Sequence, residues 1–123
     1  MAKHTPDVPL RGAVSFDLTA LAQEMRQEDS YLREGHTART LAREADLRVV
    51  LIVMKTDSMM AAHTANETAS VQVIAGRVQI KLPERREEVS AGELLLIERG
   101  IKHDVVASSD SVFVLTLGWT EKQ

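Results

Sequence analysis

The sequence predicts an all-β domain, an antiparallel sandwich or barrel with one short N-terminal helix. Three observations predict it. From Leu47 onward, short runs of Val, Leu and Ile recur, several of them alternating with polar residues. Turn-forming residues separate these runs at regular spacing. Only one stretch, near the N-terminus, carries helical periodicity.

Residues 1–13 hold two prolines and no periodic pattern, and read as an arm. Leu18, Leu21, Ala22 and Met25 fall at i, i+3, i+4 and i+7 and form one apolar stripe. Asp17 is placed to cap that helix, because its carboxylate can accept backbone N–H bonds. Gly35 ends the following polar run. Residues 1–35 thus form an arm and a short helix, and residues 36–123 form the barrel. Leu47 to Met54 is almost continuously apolar and β-branched, as expected of a strand covered on both faces. Ala69, Val71 and Val73 alternate with polar residues, as do Val78, Ile80 and Leu82. Leu94 to Ile97 is a short apolar strand. Ile101, His103, Val105 and Ala107 share one face of the next, and Val112 to Leu117 is again apolar on both faces. The turns lie at Thr56-Asp57-Ser58, Ala75-Gly76, Pro83-Glu84, Ala91-Gly92, Arg99-Gly100 and Ser108-Ser109-Asp110. The run Glu84-Arg85-Arg86-Glu87-Glu88 has mixed signs and reads as a solvated turn.

At 123 residues the chain is one domain. Aromatic residues make up only 3%, so the core must be aliphatic and a stacking platform for single-stranded nucleic acid is excluded. The net charge of -3, with both signs interspersed, leaves no basic stripe for a phosphate backbone. No apolar run is long enough to span a bilayer. The opening residues lack the apolar block of a secretion signal, so the expected location is cytoplasmic. With no cysteine, thiolate catalysis and zinc–thiolate sites are excluded. No nucleophile elbow or phosphate-binding glycine loop is present.

The stretch from about Met59 to Thr116 resembles the cupin superfamily. Gly92, Gly100 and His103 fit the spacing of the second cupin motif, Gly-x5-Pro-x-Gly-x2-His-x3-Asn, with Glu98 in place of the proline and Ala107 in place of the asparagine. In the first motif, Gly-x5-His-x-His-x3-4-Glu-x6-Gly, His63 matches the first histidine and Gly76 the closing glycine. Asp57 stands at the opening glycine, Ala65 at the second histidine and Ala69 at the glutamate. The resemblance implies a double-stranded β-helix, or jelly-roll barrel, in which three histidines and a glutamate converge on a divalent metal. Here two of those four ligands are replaced by methyl groups, which coordinate nothing.

Three readings of His63 and His103 stay open: hydrogen-bonded side chains of a partly polar interior, the lining of a ligand pocket without metal, or part of a rebuilt metal site. In the last, Glu67, in the turn after His63, is the third candidate ligand. Register places His103 with Ile101 and Val105, and His63 with Ala61 and Ala65, so both are expected to point into the barrel and lie close together. The expected function is small-molecule binding without a cofactor or tightly bound metal, and no catalytic residue is assigned. The alternative is a metal-dependent enzyme of the dioxygenase or isomerase type, using His63 and His103 with a weakly bound divalent transition metal. An oligomerising sensor module is the third reading. His36 reads as a surface-loop residue near the barrel mouth, His4 as a tail residue, and Met54, Met59 and Met60 as core or pocket filler. Trp119 is expected on the sheet edge or in a subunit contact. A homodimer is expected: the resemblance implies pairing through a sheet face or exchanged N-terminal strands, and Val8, Leu10 and Val14 of the arm, with Leu41 and Ala42 ahead of the main strands, supply apolar residues for it. No nucleic-acid or membrane partner is expected.

Overall fold

The computed structural model describes residues 8–64 and 66–118, with the backbone alone for residues 62–64. Two helices, α1 (Leu18–Met25) and α2 (Asp29–Glu34), precede nine strands. These are β1 (His36–Arg43), β2 (Leu47–Met54), β3 (Met59–Thr64), β4 (Thr68–Ala75), β5 (Arg77–Lys81), β6 (Arg86–Ser90), β7 (Leu94–Ile97), β8 (Lys102–Ala107) and β9 (Ser111–Gly118). They form two antiparallel sheets, of order β1-β2-β9-β4-β7 and β3-β8-β5-β6. The result is a jelly roll.

The period-2 patterns place the main core between the sheets. Phe113, Ile52, Met54, Val71, Val73, Val78 and Ile80 are all buried there. Each such side chain contributes about 1.5–3 kcal/mol when removed from water. The continuous apolar runs of β2 and β9 have the reason expected of them. Their second faces, carrying Leu51, Val53 and Val112, lie under Ala22, Met25 and Tyr31 of the helices. Asp17 caps α1, with its Oδ1 accepting from the Ala20 N–H at 3.1 Å.

The helical region and three features of the sheets differ from the sequence expectation. There are two helices. The second has no apolar stripe and buries only Tyr31, so it carries no periodic signal. It ends at Gly35, whose φ of 85° is the left-handed conformation. β1 is a strand that no hydrophobic pattern marks in the sequence. Its helix-facing side holds Thr37, Arg39 and Leu41, and polar partners replace the missing hydrophobic alternation. Arg39 bridges Glu24 and Glu28, both at 2.6 Å, and Thr37 accepts from Ser30 and donates to Glu28. The Thr37 hydroxyl and then the Arg39 guanidinium hold the Glu28 carboxyl below the usual range. His36 therefore starts a strand and is half-buried, not a loop residue. The charged run after Pro83 turns only as far as Arg85. β6 begins at Arg86 and buries Val89 against the core. Met54 and Met60 fill core, whereas Met59 is exposed. Trp119 lies outside the described residues, as does His4.

Candidate functional site

The two ends of the sandwich are assembled from different turns. At one end lie the turns after β2, β4, β6 and β8. At the other lie the turns after β1, β3, β5 and β7, and both sequence-marked histidines belong to this second end. The outermost inward-facing rung of the five-stranded sheet follows from the pairings Arg48↔Leu117, Leu117↔Ala69 and Ala69↔Ile97. The inward direction is set by residues two positions further along. Val50 and Ile52 of β2, Leu115 and Phe113 of β9, and Val71 of β4 all belong to the intersheet core. On the opposing sheet the corresponding rung is His63↔His103.

His103 lies on the inward face of β8, in line with Ile101, Val105 and Ala107, and is half-buried. Its Nδ1 is 3.2 Å from the Ile101 carbonyl oxygen. A protonated Nδ1 donates there and leaves the Nε2 lone pair to accept a proton donor or meet a metal. The His63 side chain lies outside the described residues, but its backbone register is defined. Between Met60↔Val105 and His63↔His103, β3 advances three residues while β8 advances two. This is a β-bulge. Without it residue 63 would pair with Lys102, because a one-residue slip exchanges the faces of a strand. The bulge also alters the face expected for β3, since Met60 packs on the core while Ala61 is exposed.

Glu67 sits half-buried in the turn between β3 and β4 at this same end. Ala69, at the position where the metal-binding motif carries glutamate, is 2% exposed, so its methyl group is built into the floor. Among the described residues no three His, Asp or Glu side chains gather as a metal-binding group. The described side chains at this end that could donate are the His103 imidazole and the Glu67 carboxylate, whereas the Ala69 methyl offers no donor where the metal-binding motif has one. Sequence reading missed Arg48. The run from Leu47 to Met54 reads as apolar throughout, yet 48, 50 and 52 share the inward face, which period-2 counting on β2 could have found. At the far end Gly76, Arg77, Ser90, Ala91, Ser108 and Ser109 line a shallow cleft of about 410 Å³. There the Thr56 backbone N–H, and then its hydroxyl, hold the Asp110 carboxyl below its ordinary range.

Solved structures share this architecture. A conserved protein of unknown function from Streptococcus pyogenes is 19% identical, with 98% of this chain and 97% of that one covered at a TM-score of 0.71. An RmlC-like cupin from Shewanella frigidimarina is 15% identical, over 72% of this chain and 80% of that one, at 0.64. KdgF from a Halomonas species is 18% identical, over 71% and 82%, at 0.63. At these identities the likeness concerns the fold. No curated protein matches the sequence. No helix among the described residues is long and apolar enough to cross a membrane. The AraC-like ligand binding domain matches residues 49–120, more than half of the sequence, starting one residue after Arg48 in β2. The chain therefore belongs to the AraC-like ligand binding domain family, within the cupin superfamily.

Proposed function

We propose that this chain binds a small molecule between the two inward rungs, without a tightly held metal. The observation that carries the reading is His103, a half-buried imidazole on an otherwise apolar inward face, anchored through Nδ1 and facing a floor that includes the Ala69 methyl. Binding pockets are mostly apolar, with a few placed polar groups that fix orientation. His103 supplies one such group, and His63, its cross-strand partner in register, supplies a second. Family membership supports ligand binding in this coarse sense. The test is metal analysis of the purified protein, then a small-molecule screen read by thermal shift. Substoichiometric metal, and a stabilising ligand whose shift is lost in His103→Ala, are the expected results. Zinc, iron, nickel or manganese held one per chain after purification without added metal would overturn the metal-free part.

The same chain pairs with a second copy of itself. Among the described residues, the outer face of the five-stranded sheet is covered by the helices over β2 and β9, while leucines of β7 are exposed on it. There Leu94 is 59% and Leu96 68% exposed. The arm residues Val8, Leu10 and Val14 are exposed as well, and the Leu10 N–H donates to Glu44 at the opposite edge of that sheet. Leu10, held at Glu44, belongs to the edge of the sheet opposite β7, and a partner copy is the proposed source of apolar cover. Light scattering at micromolar concentration is expected to give a dimer that Leu96→Lys converts to monomer. A monomeric parent protein would refute the pairing.

A further inference from the structure

Among the described residues the two sheets have four edge strands, β1 and β7 on one and β3 and β6 on the other. A bare edge is a template for another strand, and charges or bulges blunt it. β1 carries Arg39 and Arg43 and a register shift between Thr40 and Ala42. β3 is broken by the bulge between Met60 and His63. β6 carries Arg86, Glu87 and Glu88. β7 alone has neither device: it reads Leu-Leu-Leu-Ile and pairs with β4 without a shift in register.

The ladder fixes which backbone groups of β7 face outward. The Val73 N–H donates to the Glu93 carbonyl oxygen at 3.1 Å, in the register that continues as Val71↔Leu95 and Ala69↔Ile97. Backbone groups along a strand alternate in direction, so Leu95 and Ile97 bond to β4. The N–H and C=O of Leu94 and Leu96 are then directed away from β4, and no turn or loop bond among the described residues takes them up. Leu94 and Leu96 are also the two β7 residues with large exposed side chains.

We propose that β7 is the seam of the dimer: two copies pair through it edge to edge, antiparallel about Leu95, and their five-stranded sheets become one continuous sheet. This seam rests on the self-pairing inferred above and adds its geometry. With the two-fold axis at Leu95, Leu94 of each copy stands opposite Leu96 of the other. Both positions are then hydrogen-bonded pairs, so the outward groups of both edges find partners together. The same register brings the exposed leucines, two from each copy, side by side on the outer face. Centring the axis on Leu94 or on Leu96 instead sets the other leucine against Gly92 or Glu98. About Leu95, Glu93 and Glu98 fall opposite Ile97 and Gly92, so like charges are not directly opposed.

Amide hydrogen exchange of the full chain, at a concentration where light scattering gives a dimer, tests the seam. Leu94, Leu95 and Leu96 are all expected to exchange at least about tenfold more slowly than an unstructured chain, because all three amides are bonded. A free edge protects Leu95 alone, and that alternation in a dimeric sample would overturn the seam and leave the dimer standing. Leu96→Pro removes the N–H directed at the partner and keeps the bonds of Leu95 and Ile97 to β4, a change that an edge strand tolerates. This variant is expected to be monomeric with Leu95 still protected. A dimer that survives Leu96→Pro would overturn the seam as well. Where proline disturbs the strand itself, seen as lost protection at Leu95, the exchange pattern of the parent chain decides. A monomeric parent chain would refute the seam together with the pairing it rests on.

Discussion

At the end of the sandwich where β4 turns into β5 and β8 into β9, backbone and side chains close on one another. The Ser111 hydroxyl, fully buried, accepts from the Arg77 N–H at 3.0 Å and lies 2.9 Å from the Arg77 carbonyl oxygen. Thr56 donates both its N–H and its hydroxyl to Asp110. Asp57 N–H reaches the Ala107 carbonyl, and Ala91 N–H the Gly76 carbonyl. At the other end the inward residues are Arg48, Ala69, Leu117 and His103, and the strands there are joined by turns rich in charge. Polar groups at the first end satisfy the chain itself. At the second end, an arginine and a histidine stand at inward positions of the two sheets beside aliphatic residues. On the proposed reading, stability is invested at one end and recognition at the other, and substitutions should divide accordingly.

The largest effect is expected at Gly76. Its φ is 80°, and a Cβ there would run into the Asp110 carbonyl oxygen and the Ser111 hydroxyl. The left-handed conformation costs a side-chain-bearing residue about 1–2 kcal/mol, and forced overpacking adds about 1–3 kcal/mol. Gly76→Val should lower stability by about 2–5 kcal/mol, the sum of those costs, measured by urea unfolding. A loss below about 1 kcal/mol would mean this end yields easily and the division is wrong. Ser111→Ala comes next. It removes the acceptor of the part-buried Arg77 N–H, a loss of about 0.5–1.5 kcal/mol. The matching truncation at the open end, His103→Ala, should change stability by less than about 1 kcal/mol, because its one hydrogen bond is to a partly solvated carbonyl. Equal losses from the two truncations would break the comparison.

A smaller effect is expected from pH. Asp110 is held low by hydrogen bonds from Thr56, first the backbone N–H and then the hydroxyl. A carboxyl whose folded pKa is depressed contributes stability that is complete above its unfolded pKa. That stability is lost as pH falls through the lowered folded value. Unfolding followed downward from pH 6 should therefore show an acid-side loss that Asp110→Asn reduces. Because Asp110 is exposed, its share should stay below about 1 kcal/mol. Glu28 adds a loss of the same sign, from its bonds to Thr37 and Arg39. An unchanged acid limb in Asp110→Asn would show that the Thr56 clasp does not stabilise the closed end.

Of the strands that build the rungs, β4 and β8 were legible in the sequence by alternation and β2, β7 and β9 as continuous apolar runs, whereas β3 was not legible as a strand. β4, β5 and β8 show alternation directly, and the Gly92, Gly100 and His103 spacing marked one histidine of the site. β1 was illegible because its buried side is polar. Thr37 and Arg39 are stabilised there by Glu24, Glu28 and Ser30, partners drawn from helices several residues away in sequence. Helix α2 was missed for the same reason, being held by Tyr31 and this network rather than by its own periodicity. The bulge before His63 has no compositional mark, since Ala61 and Ala62 fit either face. Arg48 was hidden by its neighbours, because six apolar residues follow it and only the parity of the strand separates it from Val49 and Leu51.

Asp57 offers the smallest test and links the closed end to the motif. The cupin pattern puts glycine at this position, and the structure keeps the conformation that glycine favours, with Asp57 at a φ of 70°. Aspartate tolerates the left-handed region better than most residues, but still at some cost. The Asp57 N–H bond to Ala107 is a backbone bond and survives substitution. Asp57→Gly relieves the steric cost and adds about 0.5–1 kcal/mol of unfolded-chain entropy to be overcome. The net change should be a gain of a few tenths of a kcal/mol, seen as a small rise in Tm. Asp57→Ala keeps the strain without a compensating local hydrogen bond and should lose about 1 kcal/mol. The pair of variants reads the backbone alone. Should Asp57→Gly lose as much as Asp57→Ala, the carboxylate itself would be holding this turn, and the closed end would depend on one more side chain than its hydrogen bonds now indicate.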